Sequence, residues 1–326
     1  STSGKYHFPV PLPSMISDVL KESDYYNKMN TYKNQSGRYR RGIGFSAVFH
    51  GAGFTGNGER DIIKAVAKLH KYSDGRVEIL TANTDMGQGL STAFIKIVSR
   101  ELDIPHEKII IELPDTSRVP DSGPTVASRS VMVVGELLRR AAIRLKTEWK
   151  DGEEQEIIQH YEHPEFMIPF DAAAFKGDAY PTYSWAASAV EVEIDTFTGF
   201  ITIPGAWGSF DVGTPIDENI VIGQMEGGFV QSIGWGIMEN CSPWNGKIGN
   251  KLMCDYIIPT SLDIPNMKVK LHIDEYPEGP FGAKGAGEMP HVGGAPALIE
   301  AIQNVIGVKI NKLPFMPEDV MDALRV

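Results

Sequence analysis

ASAVEVEIDTFTGFITI, residues 187–203, decides the fold. Val190, Val192 and Ile194 alternate with Glu191, Glu193 and Asp195, the period of a half-buried strand, and the Thr-Gly that follows turns the chain into a second strand. The stretch therefore predicts a hairpin. Downstream, GQMEGGFVQSIGWGIME (223–239) reads as a helix with glycines on one face, where another backbone can come close. KVKLHI (268–273) reads as a strand and GAPALIEAIQNVIG (294–307) as a final helix ended by Gly307. Upstream, IGFSAVFHG (43–51) is a strand, and KAVAKLHKY and RVEIL flank Ser73-Asp74-Gly75, a hairpin signal. LSTAFIKIVSRELDI (90–104) has helical spacing and stops at Pro105, KIIIEL (108–113) is a short buried strand, and 130–149 forms a second amphipathic helix with Ser128 or Ser130 available as cap.

Helices and hairpins interleave without a regular βαβ rhythm, so the expected class is α+β, with two mixed α/β subdomains. Residues 1–41, polar and aromatic and ending in Arg38, Arg40 and Arg41, are expected as an extended arm. The first subdomain is expected over 42–165 and the second over 166–326. The stretch 150–180, acidic and then rich in proline, alanine and aromatics, is the expected linker.

The chain of 326 residues is long for one core and comfortable for two. Its net charge of -11 disfavours nucleic acid, which needs a basic surface, and an anionic membrane surface alike. Its two cysteines, Cys241 and Cys254, have neither zinc nor iron–sulfur spacing and are expected as reduced thiols of a cytoplasmic protein. No apolar run reaches the roughly 20 residues of a membrane span, and no signal-peptide pattern is seen.

Four short stretches, three of them glycine-rich, are the candidates for chemistry. GAGFTG (51–56) has the G-x-G-x-x-G form but no helix directly after it, and so fails as a dinucleotide site. DMGQG (85–89) lies between a strand and a helix, where free backbone N–H groups can meet an anion or cofactor oxygens, and Gln88 adds a side-chain amide. PTVASRS (124–130) places small residues and hydroxyls before the second helix. GPFGAKGAGEMPH (279–291) delivers one carboxylate, Glu288, from a glycine-rich loop; in an apolar pocket that carboxylate would serve as a general base, with His291 as rival. Lys284 would hold a phosphate or lie in solvent. Neither a G-x-S-x-G elbow nor H-E-x-x-H occurs, which weakens hydrolase readings.

In this order the pieces resemble the xanthine dehydrogenase/aldehyde oxidase family of molybdenum hydroxylases. The resemblance rests on DMGQG, PTVASRS, AVEVEIDTFTG, FDVG (210–213), GQMEGGFVQSIGWG (223–236), YIIPTSLDIPN (256–266), GAKGAGE (282–288) and LPFMPEDV (313–320). It implies two molybdopterin-binding subdomains, with Gly87, Gln88, Gly89, Ala127, Ser128, Ser130 and Gly285 at the pterin. Gln231 would lie near the metal, and Glu288 would be the base beside it, with water supplying the inserted oxygen. It further implies that this is the C-terminal half of the molybdenum region, made as a separate chain. The front half, with a further cofactor loop and the substrate-facing aromatics and arginine, would come from a larger molybdopterin-binding subunit, and iron–sulfur and FAD subunits would complete electron transfer. The pterin is expected in its cytosine dinucleotide form. Such a split resembles that of bacterial nicotinate dehydrogenases and implies an N-heteroaromatic substrate, nicotinate first and purines second. A non-catalytic scaffold closing a partner's site is the alternative. Two departures, Met289-Pro290 in place of a proline pair and Arg129 among small residues, would tune the pocket.

Overall fold

The computed structural model describes residues 1–241 and 243–325. The first 41 residues are not an extended arm: they hold two helices, α1 (Leu12–Glu22) and α2 (Tyr25–Tyr32). Proline at the start of α1 costs no hydrogen bond, and Met15 and Val19, one turn apart, bury against Trp185, Ala187, Ala189 and Trp207. Leu12 and Ile16 pack beside them, so Leu12, Met15, Ile16 and Val19 form an apolar stripe at helical spacing that the expectation of an extended arm passes over.

The chain then runs through β1 (Tyr39–Ala52), β2 (Val66–Lys71), β3 (Val77–Leu80), α3 (Leu90–Leu102), β4 (Ile109–Ile111), α4 (Gly135–Glu148) and β5 (Gln155–His160). One sheet has the order β4-β3-β2-β5, with β2 and β3 joined antiparallel across the Asp74-Gly75 turn and β3 parallel to β4. Its core joins Leu69, Val77 and Ile79 to Phe94 and Ile97 of α3 and to Leu138 and Leu145 of α4. A π-helical turn, Ser130–Val134, leads into α4.

The remaining elements are β6 (Thr182–Asp195), β7 (Ile201–Asp211), α5 (Glu218–Ile237), a two-rung hairpin of β8 (Pro243–Trp244) and β9 (Lys247–Ile248), β10 (Asn266–His272), α6 (Met289–Ile306) and α7 (Pro317–Leu324). The larger sheet has the order β1-β6-β7-β10. β1 pairs with β6 along its whole length, from Tyr39–Asp195 to Ala52–Thr182. Two expectations are thereby corrected. Residues 42–52 belong to the sheet of the second half, so the smaller sheet unit is inserted between β1 and β6. The expected linker also contains β5, an edge strand paired with β2. Alternation along a strand shows that it has one buried face; it does not say which strand lies beside it.

The 187–203 hairpin forms as read, and Val190, Val192 and Ile194 enter a core with Phe210, Phe229, Leu298 and Ile302. The opposite face of β6 is less solvated than its glutamates imply. Glu191 is buried, receiving hydrogen bonds from Lys28 Nζ at 2.5 Å and Tyr32 Oη at 2.7 Å. Burial, and then that carboxylate, push the Tyr32 phenol up to about 12. The basic cluster has the same destination: Arg41 pairs with Glu193 and Arg38 with Asp195, whose carboxyl the Arg38 hydrogen bond holds down to about 2.

α6 lies directly on β1. A Cβ on Gly44 would stand 2.1 Å from the Ala297 carbonyl oxygen, so the strand and helix backbones meet there with nothing between them. Of the α5 glycines, Gly228 and Gly236 face α6 at Pro290 and Leu298, whereas Gly223 and Gly227 have open space where a side chain would stand and Gly234 faces Glu239 and Pro259, so they do not share one face. Gly44→Ala is expected to lower the unfolding free energy by about 1–3 kcal/mol through overpacking, read as a lower denaturant midpoint at constant slope. An unchanged midpoint would mean that helix and strand separate easily.

Candidate functional site

Three loops converge between the two sheet units. The first, 85–89, joins the end of the β3 segment to α3. Asp85 organises it, Oδ1 accepting from Gly87 N at 2.9 Å and Oδ2 from Ser91 N at 2.8 Å. Burial pushes the Asp85 carboxyl up, but these main-chain donors outweigh it and the net position is below the ordinary carboxylate range. Gln88 does not aim its amide outward. Its Oε1 accepts from Met86 N at 2.6 Å and its Nε2 donates to Thr84 O at 3.0 Å, so the side chain stiffens its own loop.

The second loop is 124–130. Ala127 and Ser128 are both left-handed, with φ of 55° and 50°, at a cost of about 1–2 kcal/mol each. Thr125 Oγ1 accepts from Thr84 N at 2.9 Å, and Asn83 Nδ2 reaches Thr125 Oγ1 and Ser130 Oγ, each at 3.4 Å, tying this loop to the first. Asn83 Oδ1 is buried and has no hydrogen-bond partner among the described residues. Arg129 points away from the loop's open side. It is fully buried and bidentate with Glu59, at 2.5 and 3.0 Å, and its Nη1 donates to the carbonyls of Ser122 and Pro124 at 2.9 and 3.1 Å. Its side chain therefore braces the loop from beneath, while the residue itself still lines the cleft.

The third loop, 283–287, is clamped to the end of β7. Lys284 N donates to Val212 O at 3.0 Å, and Ala283 bridges Gly213. Lys284 is neither a phosphate ligand nor a surface residue. It is buried, with Nζ 2.8 Å from Asp211 Oδ2 and 3.0 Å from Asp274 Oδ2. Burial raises the Asp211 carboxyl above its ordinary range, with Lys284 opposing. At Gly285 a Cβ would stand 2.0 Å from Ser128 O, so the second and third loops touch through main chain.

Gly87, Gln88, Gly89, Ala127, Ser128, Ser130, Gly285 and Glu288 all line one cleft of about 510 Å³, closed on its far side by Ile220, Gln224 and Met225 of α5. Gln231, also on α5, is not there. It lines a second cleft of about 710 Å³ with His50, Tyr256 and His291. Glu288 borders both, exposed, at the start of α6, so the apolar burial expected for it does not exist within this chain. Ser128 Oγ lies 2.8 Å from Glu288 Oε2 and 3.1 Å from Glu288 N. Sequence reading missed Asn83 and Thr125, which bind the loops together, and the second cleft's His50 and Tyr256. Asp85, two residues before a glycine and six before a helical N–H, was the one with a legible capping signal.

Residues 18–265 match the family model of the molybdopterin cofactor-binding domain. The chain belongs to that family, the molybdenum hydroxylases. A probable xanthine dehydrogenase subunit from Bacillus subtilis is 28% identical over 348 residues, covering 97% of this chain and 46% of the relative. The gamma subunit of a 6-hydroxypseudooxynicotine dehydrogenase complex from Paenarthrobacter nicotinovorans is 29% identical over 283 residues, covering 76% of this chain and 36% of the relative. The solved aldehyde oxidoreductase of Desulfovibrio desulfuricans superposes with a TM-score of 0.84 at 26% identity, over 98% of this chain and 36% of that one. The chain thus spans less than half the length of these relatives.

The residues fit a pterin cofactor. The cleft wall at Gly87 has open space where a side chain would stand, with no atom within 4 Å, and at Gly287 only Ser128 Oγ is near, at 3.7 Å. Bare main chain on two sides of the cleft suits a flat, many-donor ring system approached edge-on. Among the described residues no cluster of His, Cys, Asp or Glu could cage a metal by itself. Both cysteines are exposed and unbridged. No helix among the described residues is long and apolar enough to cross a membrane.

Proposed function

We propose that this chain provides one wall of a molybdenum–pterin site and the general base of a hydroxylase that acts within a multi-subunit complex. The observation that carries the reading is the position of Glu288, on the border between a cleft walled by the three loops and a second, open cleft. The pterin, as its cytosine dinucleotide, would lie in the first cleft along Gly87, Gly89, Ala127 and Gly285, with Gln88 and Ser130 bracing its loops. The substrate would enter through the second, beside Gln231. When bound, the cofactor supplies a Lewis-acidic centre that accepts two electrons. Glu288 Oε2 is engaged by Ser128, which leaves Oε1 to take the proton of the water-derived nucleophile. Solvent exclusion around Glu288 falls to the chain that covers it, since this one leaves it exposed.

The reaction we favour is hydroxylation of an N-heteroaromatic ring, nicotinate to 6-hydroxynicotinate. The relative named for 6-hydroxypseudooxynicotine supports that class. The relative named as a xanthine dehydrogenase subunit supports purines as the second reading. Both names are those of subunits, in keeping with a larger molybdopterin-binding partner and with separate iron–sulfur and FAD chains. Elemental analysis of the natively purified protein with its co-purifying chains is expected to give near-stoichiometric molybdenum together with iron, and the same sample should turn over nicotinate faster than xanthine. Faster xanthine turnover would select the purine reading. A metal-free single chain that turns over a substrate would overturn the proposal.

A further inference from the structure

We infer that Ser128 is a positioning residue for Glu288, and that its hydroxyl is committed to that task and unavailable to the cofactor. The inference rests on the reading of Glu288 as the base. A serine hydroxyl has one proton and two lone pairs. Here the proton goes to Glu288 Oε2, 2.8 Å away, since an ionised carboxylate can only accept. One lone pair takes the Glu288 N–H at 3.1 Å. Both bonds go to the same residue, so together they close a ring that fixes the Glu288 side chain against its own backbone. A pterin nitrogen or phosphate oxygen seeking a donor from Ser128 would have to release the carboxylate.

The surroundings hold Ser128 to this geometry. Two successive left-handed residues, Ala127 and Ser128, persist only where neighbours over-determine them. Ala127 O accepts from Gly53 N at 2.9 Å, and the Ser128 carbonyl rests against Gly285, where no side chain would fit. The serine main chain is thus gripped from the end of β1 and from the third loop, and its Oγ is aimed across the gap at Glu288, which sits at the N-terminal end of α6 without capping that helix. Strain in one loop is converted into a fixed carboxylate in another, 160 residues away in sequence.

The test uses the assembled holoenzyme with Ser128→Ala, Ser128→Gly, Glu288→Gln and the Ser128→Ala/Glu288→Gln pair. Glycine relaxes the left-handed backbone and alanine does not, so the two separate the hydroxyl from the strain. Both serine variants are expected to keep their molybdenum and pterin content and their KM, and to lose about 10- to 100-fold in kcat, as a misplaced reacting group does. In the Glu288→Gln background Ser128→Ala is expected to add nothing to the loss in kcat. Independently of turnover, the Glu288 amide should lose hydrogen-exchange protection in both serine variants. A fully active Ser128→Ala beside an inactive Glu288→Gln would overturn this inference alone. So would cofactor loss in both serine variants, because the hydroxyl would then serve the pterin, or cofactor loss in Ser128→Ala that Ser128→Gly restores, because residue 128 would then serve the loop's backbone. A fully active Glu288→Gln would remove the base and this inference together.

Discussion

Glu288→Gln is expected to leave molybdenum and pterin in place and to lower kcat by about 10²- to 10⁴-fold, the range that a positioned general base contributes. The substitution is nearly isosteric. Its amide oxygen can still accept from Ser128 Oγ, and the main-chain N–H that meets the same hydroxyl is unchanged. Loop 283–287 keeps its clamp through Lys284 and Gly285, neither of which touches the carboxylate. What disappears is the capacity to accept a proton. The loss should therefore fall on kcat and kcat/KM together, with substrate affinity little changed. Rapid reduction of the enzyme by excess substrate, followed alongside molybdenum content, checks this. Near-normal reduction would place the base on another chain and leave this one as a scaffold.

Arg129→Met is expected to destabilise the protein by about 3–5 kcal/mol, because it leaves the Glu59 carboxylate buried without its partner. The two carbonyls of Ser122 and Pro124 lose their donor in the same step. The mechanism makes a second prediction: combining Arg129→Met with Glu59→Leu should recover much of the stability, since a well-packed apolar pair avoids the uncompensated charge. Denaturant unfolding of both variants decides it. If the single variant lies within about 1 kcal/mol of the parent, the pair does not hold the 124–130 loop.

Much of this fold is visible in single stretches of sequence, wherever one face of an element is apolar over several turns or rungs. The 187–203 alternation, the helical spacing of Leu90, Phe94, Ile97 and Leu102, and Asp74-Gly75 between two strands all became what they read as. What escaped is of two kinds. α1 carries a helical stripe, Leu12, Met15, Ile16 and Val19, that the expectation of an extended arm passes over, whereas α2 has no buried residue and is tied to the sheet through Lys28 and Tyr32 reaching Glu191, which no apolar period announces. The pairing of β1 with β6, by contrast, is a long-range choice that no local period encodes. The loops show the same division. The glycines and small residues marked where the backbone would be bare, and eight of the nine site residues line one cleft. The directions of the side chains were not legible. Arg129, Lys284 and Ser130 point to Glu59, Asp211 and Asn83, partners 47 to 73 positions away. Gln88, like Asp85, turns to its own neighbours in the chain.

The insertion of the smaller sheet unit between β1 and β6 sets an order of events during synthesis. β1 leaves the ribosome with Ile43, Phe45 and Val48 unpaired, and its partner strand begins only at Thr182. In the interval the unit built on β2–β5 has its own core and can close. The larger sheet must wait, and such long-range pairing is slow and leaves an open strand edge exposed to other chains. The residues of loops 85–89 and 124–130 are therefore made before Gln231 and Glu288, and the Gly285 main chain against which Ser128 rests comes only with the third loop. The cleft is finished last, when α6 comes down on β1, and a nascent chain stalled before that helix would carry half a pocket and a sticky edge. Chaperone demand should be greatest in that window, which closes only as α6, Met289–Ile306, emerges.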